Sequence, residues 1–276
     1  QFDLTDQTAG CDYQVQVSSW RSSDTPERGY VIVLNDVTAY KELDRLKSQM
    51  IQIASHDLKN PLGVVKGYAD LMLMEMDPAH EYHEFVTDIS KTTARMVEMV
   101  SQLLNVERIE ATVDGEQQNF DPLAMLLEII DELRLIAFQK KQTVKQMFPP
   151  GPVTLHGDPP QLREAFKNLL DNALKYTPDG GTIVVQATVD PIAQQFHYAV
   201  EDDGYGISAA RQQDIFQRFY RAKEPGTESI SGTGLGLSLV KAVVERHGGQ
   251  VWFESSPERG STFGFWLPLP DGDVSP

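Results

Sequence analysis

The spacing of apolar residues along this chain first follows a strand period. Near the start, apolar and polar residues alternate at Tyr13, Val15 and Val17 and again over residues 30–34, which is typical of β-strands. Residues 22–29 between these runs are rich in turn-forming residues, so the pattern predicts a short hairpin. This segment is too short to form a complete domain, so we interpret it as the remnant of a larger one.

The period then changes to that of a paired helix. From Leu43 onward the apolar residues recur three and four positions apart, which is the spacing along the seam of a coiled coil. Asp77-Pro78 marks a turn between two such helices. A helical hairpin with two narrow stripes cannot bury both alone, so two copies should form a dimeric four-helix bundle. The seam positions are Leu43, Leu46, Met50, Ile53, Phe85, Ile89, Thr92, Met96, Met99, Leu103 and Val106.

Beyond about residue 115, helix and strand patterns are mixed, which predicts an α+β domain. The predicted helices lie near 121–140, 159–176 and 235–248, and the predicted strands near 182–189, 195–202, 250–255 and 262–268. We therefore predict a multidomain chain, divided into 1–38, 39–112 and 113–276.

Composition narrows the classes of function. With 276 residues, of which 41% are hydrophobic and 23% charged, the chain is typical of globular proteins with more than one domain. A net charge of −16 argues against binding to a nucleic acid. The single cysteine, Cys11, cannot form an internal disulfide, which fits a reducing compartment.

Membrane attachment is not predicted for this part of the protein. No apolar run approaches the roughly 18 residues that a membrane helix needs. The chain opens at Gln1 without an initiator Met, so we expect missing upstream segments, through which any contact with a membrane would be made. The expected location of this part is cytoplasmic.

One histidine, in the first long helix, has neighbours that suggest chemistry. His56 lies just off the apolar seam, so its imidazole should face solvent at the edge of the bundle. Asp57 beside it can orient the ring or take its proton, which leaves a nitrogen lone pair as nucleophile. Pro61 removes a helix hydrogen bond and should bend the helix close to His56. The histidines without this context, interpreted as structural or surface residues, are His80, His83, His156, His197 and His247.

A stripe of polar residues marks the predicted helix near 159–176. Asn168, Asn172 and Lys175 are spaced by four and three, so they point the same way. Amide oxygens can ligate a hard cation and the ammonium offsets phosphate charge. The stripe therefore suits the triphosphate of Mg·ATP.

Two glycine-rich runs follow this helix. Asp202-Asp-Gly-Tyr-Gly-Ile207 follows a predicted strand, and Gly232-Thr-Gly-Leu-Gly-Leu237 opens a predicted helix. Glycine lets backbone N–H groups approach phosphate, and a helix N-terminus adds a favourable dipole. Asp202 can accept a hydrogen bond from the adenine amino group, which would discriminate against guanine. The spacing is not that of a Rossmann fingerprint, and neither run ends as a Walker loop does.

These motifs together resemble a known family. Ser55-His-Asp-Leu-Lys-Asn-Pro-Leu62 looks like the H-box of bacterial sensor histidine kinases of the HisKA type. The later motifs resemble, in order, the N-box (168–176), the first glycine box, the Phe box (215–221) and the second glycine box of the Bergerat-type ATP-binding fold. That fold is a two-layer α+β sandwich. Residues 29–38 look like the final strand and exit of a PAS sensor domain.

The resemblance implies roles for particular residues. His56 would be the phosphoacceptor, Asp57 its base, and Asn60 the residue that positions water in a phosphatase reaction. Asn168 would hold Mg²⁺, Asp202 would bind adenine, and Thr262 would support Asp202 through water. The basic residues near phosphates would be Lys175, Arg218 and Arg221. The other implied nucleotide-binding residues are Asn172, Tyr176, Gly204, Gly206, Ile207, Phe219, Gly232, Thr233, Gly234, Leu235, Gly236 and Leu237.

The expected function is that of a two-component sensor kinase. ATP would phosphorylate His56, and because no receiver-like acidic pocket is evident in this chain, the acceptor should be an aspartate of a separate response regulator. A lid at Ala222–Ser231 and a flexible linker near Ala111–Gly115 are also expected. Two alternatives stay open: a gyrase-like or mismatch-repair ATPase, against which the H-box helix argues, and a non-catalytic dimeric adaptor that binds nucleotide as a structural ligand.

Overall fold

The computed structural model describes residues 2–6, 11–21, 28–111, 117–222, 224–228, 230, 232–257 and 259–270. It divides into two compact units, Gln1–Asp57 and Leu58–Pro276. The division falls inside a long helix, whereas the sequence predicted a boundary after residue 38. Two hydrogen bonds join the start of that helix to the first strands. Asp12 N–H donates to Thr38 Oγ1 at 2.9 Å, and Val37 N–H donates to the Asp12 carbonyl at 2.8 Å.

The first unit contains a three-stranded antiparallel sheet. Its strands are β1 (Phe2–Asp6), β2 (Cys11–Arg21) and β3 (Arg28–Asp36), paired in that order. The predicted hairpin of β2 and β3 is confirmed, and β1, which is too short for a readable alternation, adds a strand at one edge. Asp36 accepts hydrogen bonds from the backbone and hydroxyl of Thr38, which starts the following helix.

Both long helices predicted from the seam spacing are present. Helix α1 spans Thr38–Glu75 and continues through Pro61, and α2 spans His83–Ala111. Within the second unit, Ser90 Oγ donates to Asp70 Oδ1 at 2.6 Å, which joins the two helices. Among the described residues, neither these helices nor the later ones combine the length and apolar character required to cross a membrane.

The rest of the second unit is the predicted α+β domain. Its helices are α3 (Pro122–Gln139), α4 (Pro159–Tyr176) and α5 (Gly236–Arg246), with a 3₁₀ turn at Ala209–Asp214. Its strands are β4 (Gln118–Phe120), β5 (Thr143–Met147), β6 (Leu155–Gly157), β7 (Thr182–Asp190), β8 (Gln195–Asp202), β9 (Gln250–Ser256) and β10 (Gly260–Pro268). The main sheet has the order β5-β7-β8-β10-β9, and only the β5–β7 pair is parallel. The helices and strands named from the sequence are confirmed in this domain.

Helix α4 is fixed between this sheet and the other helices. Its first backbone groups are capped by Asp158, whose side chain accepts from Gln161 N–H at 3.1 Å. Phe166, which is fully buried, meets Tyr198 and Phe265 at ring-centroid distances of 4.8 and 5.3 Å. The apolar stripe of α4 thus packs in the core, and this packing fixes the position of the polar stripe beside it.

Candidate functional site

A cleft opens where α4 meets the beginning of α5 and the ends of β8 and β10. Its empty volume is about 1030 Å³, part of which is open to solvent. The residues predicted to bind nucleotide that line it are Asn168, Asn172, Lys175, Tyr176, Asp202, Gly206, Ile207, Arg221, Gly232, Thr233, Gly234, Gly236 and Leu237. The structure thus brings together residues that are far apart in the sequence.

Five predicted residues are not part of the described lining: Gly204, Arg218, Phe219, Leu235 and Thr262. Gly204 and Leu235 are buried beside the cleft. Each donates its backbone N–H to a residue of the lining, Gly204 to Asp202 Oδ1 at 2.9 Å and Leu235 to Thr233 Oγ1 at 3.3 Å.

The amide stripe of α4 faces the cleft next to the start of α5. Asn168 Nδ2 donates to the Glu164 carbonyl at 2.8 Å, which leaves the acceptor Oδ1 for a cation. A Cβ atom on Gly236 would lie 2.7 Å from that Oδ1, so a larger residue here would displace the Asn168 side chain from the N-terminus of α5. The amide oxygen and the helix N-terminus form one polar corner of the cleft.

Asp202 supplies a buried carboxylate at the end of β8. Its exposed fraction is 6%, and its Oδ1 accepts the backbone N–H of Gly204 at 2.9 Å. Burial raises the pKa of Asp202 to about 6, although the hydrogen bonds from the backbone of Gly204 and Ser261 lower it. A buried acceptor with this environment is suited to an N–H donor of a ligand.

The residue beside Asp202 on β10 differs from the prediction. Ser261 pairs with Asp202 in the sheet and lines the cleft, whereas Thr262 pairs with Glu201. Successive strand residues point to opposite faces, so Thr262 is directed away from the cleft. The predicted support of Asp202 by Thr262 is wrong for this reason, and Ser261 takes that position.

The turn after Asp202 is held by contacts that allow no side chain at Gly206. Gly206 has a φ of +67°, and a Cβ atom there would lie 1.9 Å from the Ser256 carbonyl oxygen. The next residue, Ile207, donates its N–H to Ser255 Oγ at 2.8 Å. The backbone of this wall of the cleft is thus fixed against β9.

Gly206→Ala is expected to destabilise this domain by about 2 to 4 kcal/mol, since the Cβ clash and the left-handed backbone act together. The measurement is the midpoint of unfolding in urea. Gly63→Ala is the matched control, because Gly63 is helical and a Cβ there meets nothing within 4 Å. An unchanged midpoint for Gly206→Ala would contradict the packing described for this turn.

Two side chains that the sequence did not single out hold the C-terminal end of α4. Lys140 Nζ donates to the carbonyls of Leu174 and Thr177 at 2.6 and 2.7 Å. Gln142 Nε2 donates to the same two carbonyls at 3.1 and 2.7 Å. These bonds satisfy carbonyls that the end of a helix leaves without partners, and they fix the turn that carries Lys175. The pairs are more than thirty residues apart, so no local pattern indicates them.

The Phe box and the predicted lid form the remaining wall. Phe219 is 58% exposed with a φ of +64°, and its N–H donates to the Gly234 carbonyl at 2.9 Å. Arg221 donates to the carbonyls of Ile230 at 2.5 Å and Gly232 at 3.3 Å. Of the predicted lid Ala222–Ser231, residues 223, 229 and 231 lie outside the described residues, as does most of the predicted linker.

Helix α2 also reaches this cleft, which the sequence did not predict. Glu98 and Gln102 are among its lining residues, and Thr233 Oγ1 donates to Gln102 Oε1. Both positions lie between seam residues, where they looked like ordinary solvent-facing polar residues of a paired helix.

The predicted catalytic residues His56, Asp57 and Asn60 all lie on α1. Asp57 and Asn60 are exposed, and the side chain of His56 lies outside the described residues. His56 and Asp57 close the first compact unit and Asn60 belongs to the second. Their roles stay predictions.

Two family models match the chain. Residues 46–112 match the His Kinase A (phospho-acceptor) domain, and residues 157–271 match the histidine kinase-, DNA gyrase B-, and HSP90-like ATPases. The first match contains His56, and the second contains the predicted nucleotide-binding residues.

Curated relatives are sensor proteins. The chain is 30% identical to the phosphate regulon sensor protein PhoR of Pseudomonas aeruginosa over 238 residues, which are 86% of this chain and 53% of PhoR. It is 27% identical to the sensor histidine kinase WalK of Bacillus subtilis, covering 87% of this chain and 39% of WalK. The chain thus spans about half the length of these relatives or less.

Solved structures agree in fold. Full-length ShkA in complex with AMPPNP superposes with a TM-score of 0.66 at 23% identity, over 80% of this chain and 46% of ShkA. The histidine kinase AdeS of Acinetobacter baumannii superposes with a TM-score of 0.54 at 20% identity, over 78% of this chain and 98% of AdeS. These likenesses support the helical hairpin and the α/β sandwich.

Proposed function

We propose that the chain, which matches both family models, is a sensor histidine kinase that transfers the γ-phosphoryl group of ATP to His56 and then to an aspartate of a response regulator. The observation that carries the proposal is the cleft that places the buried Asp202 carboxylate, the Asn168 amide and the Lys175 ammonium around one space. Such a set offers an acceptor for the base, a cation ligand and a countercharge for phosphates.

Recognition of adenine is assigned to Asp202. The carboxylate would accept the exocyclic N–H of adenine, and the oxygen at the same position of guanine would be repelled. The buried setting strengthens this bond, because the local dielectric constant is low. Ser261 beside it would hold a water that supports the carboxylate.

Binding of the phosphates is assigned to the stripe of α4 and to the glycine segment before α5. Lys175 and Arg221 would offset their charge, and the N-terminus of α5 would add its dipole. Asn168 would ligate Mg²⁺, which neutralises phosphate charge as the phosphoryl group leaves. Tyr176, Asn172 and the glycines would line the rest of the phosphate site.

Phosphoryl transfer needs the imidazole of His56 as a nucleophile. Asp57 would take the proton of one ring nitrogen or hold it in place, so that the other nitrogen attacks the γ-phosphorus in line. A bond between nitrogen and phosphorus forms as the bond to ADP breaks. Asn60, one turn beyond His56, would position the water that removes the phosphoryl group from the response regulator.

We also infer a homodimer and an N-terminal sensor remnant. Seam residues of both helices are exposed in the single chain, with exposed fractions of 71% at Met50, 63% at Ile53 and 66% at Phe85. Apolar stripes of this length are stable in water when a second copy covers them. Strands β1 to β3 would be the end of a PAS domain.

Phe85→Asp is expected to weaken dimerisation by about 100-fold or more, because each seam would bury an unpaired charge. Sedimentation velocity over a range of concentrations measures the effect. Tyr82→Asp is the matched control, since Tyr82 is 55% exposed but lies in the turn before α2. A Phe85→Asp protein that stays dimeric at micromolar concentration would contradict the proposed seam.

The experiment that tests the function uses Mg²⁺ and ATP labelled at the γ-phosphate. We expect protein-bound label that is lost in acid and kept in alkali, as a phosphohistidine requires, and that passes to a receiver domain when one is added. ATP binding without any label would instead favour the adaptor alternative. Steady release of labelled phosphate without a labelled protein would favour a gyrase-like ATPase.

A further inference from the structure

A second cavity continues the cleft on the side away from Asp202. It shares Lys175, Gly232, Thr233 and Glu98 with the main cleft, whereas Asp202 lines only the main one. A nucleotide whose base lies at Asp202 and whose phosphates pass Lys175 would therefore extend its last phosphate into this cavity.

The wall of the second cavity that does not belong to the ATPase domain comes from α2. This wall contains Lys91 and Arg95 together with Glu98. With Gln102, these residues are spaced by four, three and four, so they form one stripe along the helix. Gln102 is bonded to Thr233 of the glycine segment, which fixes the stripe against the mouth of the cleft.

The charge of the second cavity differs from that of the whole chain. Its lining contains the cations Lys91, Arg95 and Lys175 and a single carboxylate, Glu98. The chain as a whole has a net charge of −16, so a local excess of two positive charges indicates an anion. Lys91 and Arg95 are exposed, and arginine in particular matches the geometry of a phosphate group.

We propose that Lys91 and Arg95 of α2 form a subsite for the terminal phosphate of a bound nucleoside triphosphate, with Glu98 opposing it. This inference rests on the proposed function. The subsite distinguishes ATP from ADP, because ADP has no group that reaches beyond Lys175. It also makes α2 of the phospho-acceptor hairpin a part of the nucleotide site while the two are in contact.

The test is isothermal titration of the whole chain with Mg·ATP and with Mg·ADP. In Lys91→Gln/Arg95→Gln, we expect the Kd for ATP to rise about 5- to 20-fold and that for ADP to change less than about 2-fold, as the loss of charge-assisted contacts predicts. Glu98→Gln should act in the opposite direction and tighten ATP by about 2- to 5-fold, because it removes a repulsive charge at the same place.

The matched control is Arg134→Gln/Lys145→Gln, which removes the same two charge types from the outer face of α3 and from β5. Both residues are exposed and neither belongs to the described lining of the two cavities. An equal loss of ATP and ADP affinity in the Lys91 and Arg95 variant, or no change in either, would overturn the subsite. Failure of the unchanged protein to bind either nucleotide would instead overturn the proposed function.

Discussion

Asp202→Asn is expected to weaken ATP binding by about 10- to 100-fold, because a charge-assisted hydrogen bond to the adenine is replaced by a neutral one in a buried place. The same substitution should make the folded protein more stable at neutral pH. Burial raises the pKa of Asp202 to about 6, so the ionised carboxylate is unfavourable in the folded state. Titration with a nucleotide and urea unfolding measure the two effects on one protein.

The sign of the stability effect follows from proton linkage. Above an unfolded pKa of 3.8 the folded state holds the Asp202 proton more tightly than the unfolded chain does, so stability falls as the pH rises from about 4 to 6 and stays lower above that. At pH 7.5 we expect Asp202→Asn to raise the free energy of unfolding by about 1 to 3 kcal/mol. Asp88→Asn, at an exposed position on α2, is the control. A loss of both stability and binding would mean that Asp202 is a structural residue only.

The periodic parts of the fold could be predicted from the sequence. The seam spacing predicted both long helices. The apolar stripe of α4 predicted that Asn168 and Lys175 lie together on the neighbouring stripe. These features repeat over several turns, so errors of one or two residues at the ends do not change them. Strands β4, β5 and β6 were not predicted because three to five residues are too few to show a period.

The residues that the sequence misplaced or missed depend on register and on distant contacts. Thr262 and Ser261 are adjacent polar residues, and the choice between them depends on which face of β10 turns to the cleft. Lys140 is separated from its acceptor carbonyls by two strands and most of a helix, and Gln102 contacts Thr233 across 131 residues. Such contacts follow from packing of whole elements and leave no local signal.

His56→Gln is expected to abolish phosphorylation of the protein while leaving its affinity for ATP within about 2-fold of the original. Glutamine has no nitrogen lone pair that can attack phosphorus, so the first covalent step has no acceptor. The residues proposed to hold the nucleotide begin at Asn168, and the substitution leaves them unchanged, so binding should persist. Titration with Mg·ATP measures this affinity, and without that check a loss of label could arise from loss of the substrate.

The most direct test of the whole account is therefore the incorporation of γ-labelled phosphate into the original protein, His56→Gln and His83→Gln in parallel. His83, at the start of α2, is the matched control because it is also followed by an acid, Glu84, but has no proline five residues further on. We predict acid-labile label in the original protein and in His83→Gln, and none in His56→Gln. Equal label in His56→Gln would contradict the account, because the phosphoryl group would then reside on another residue.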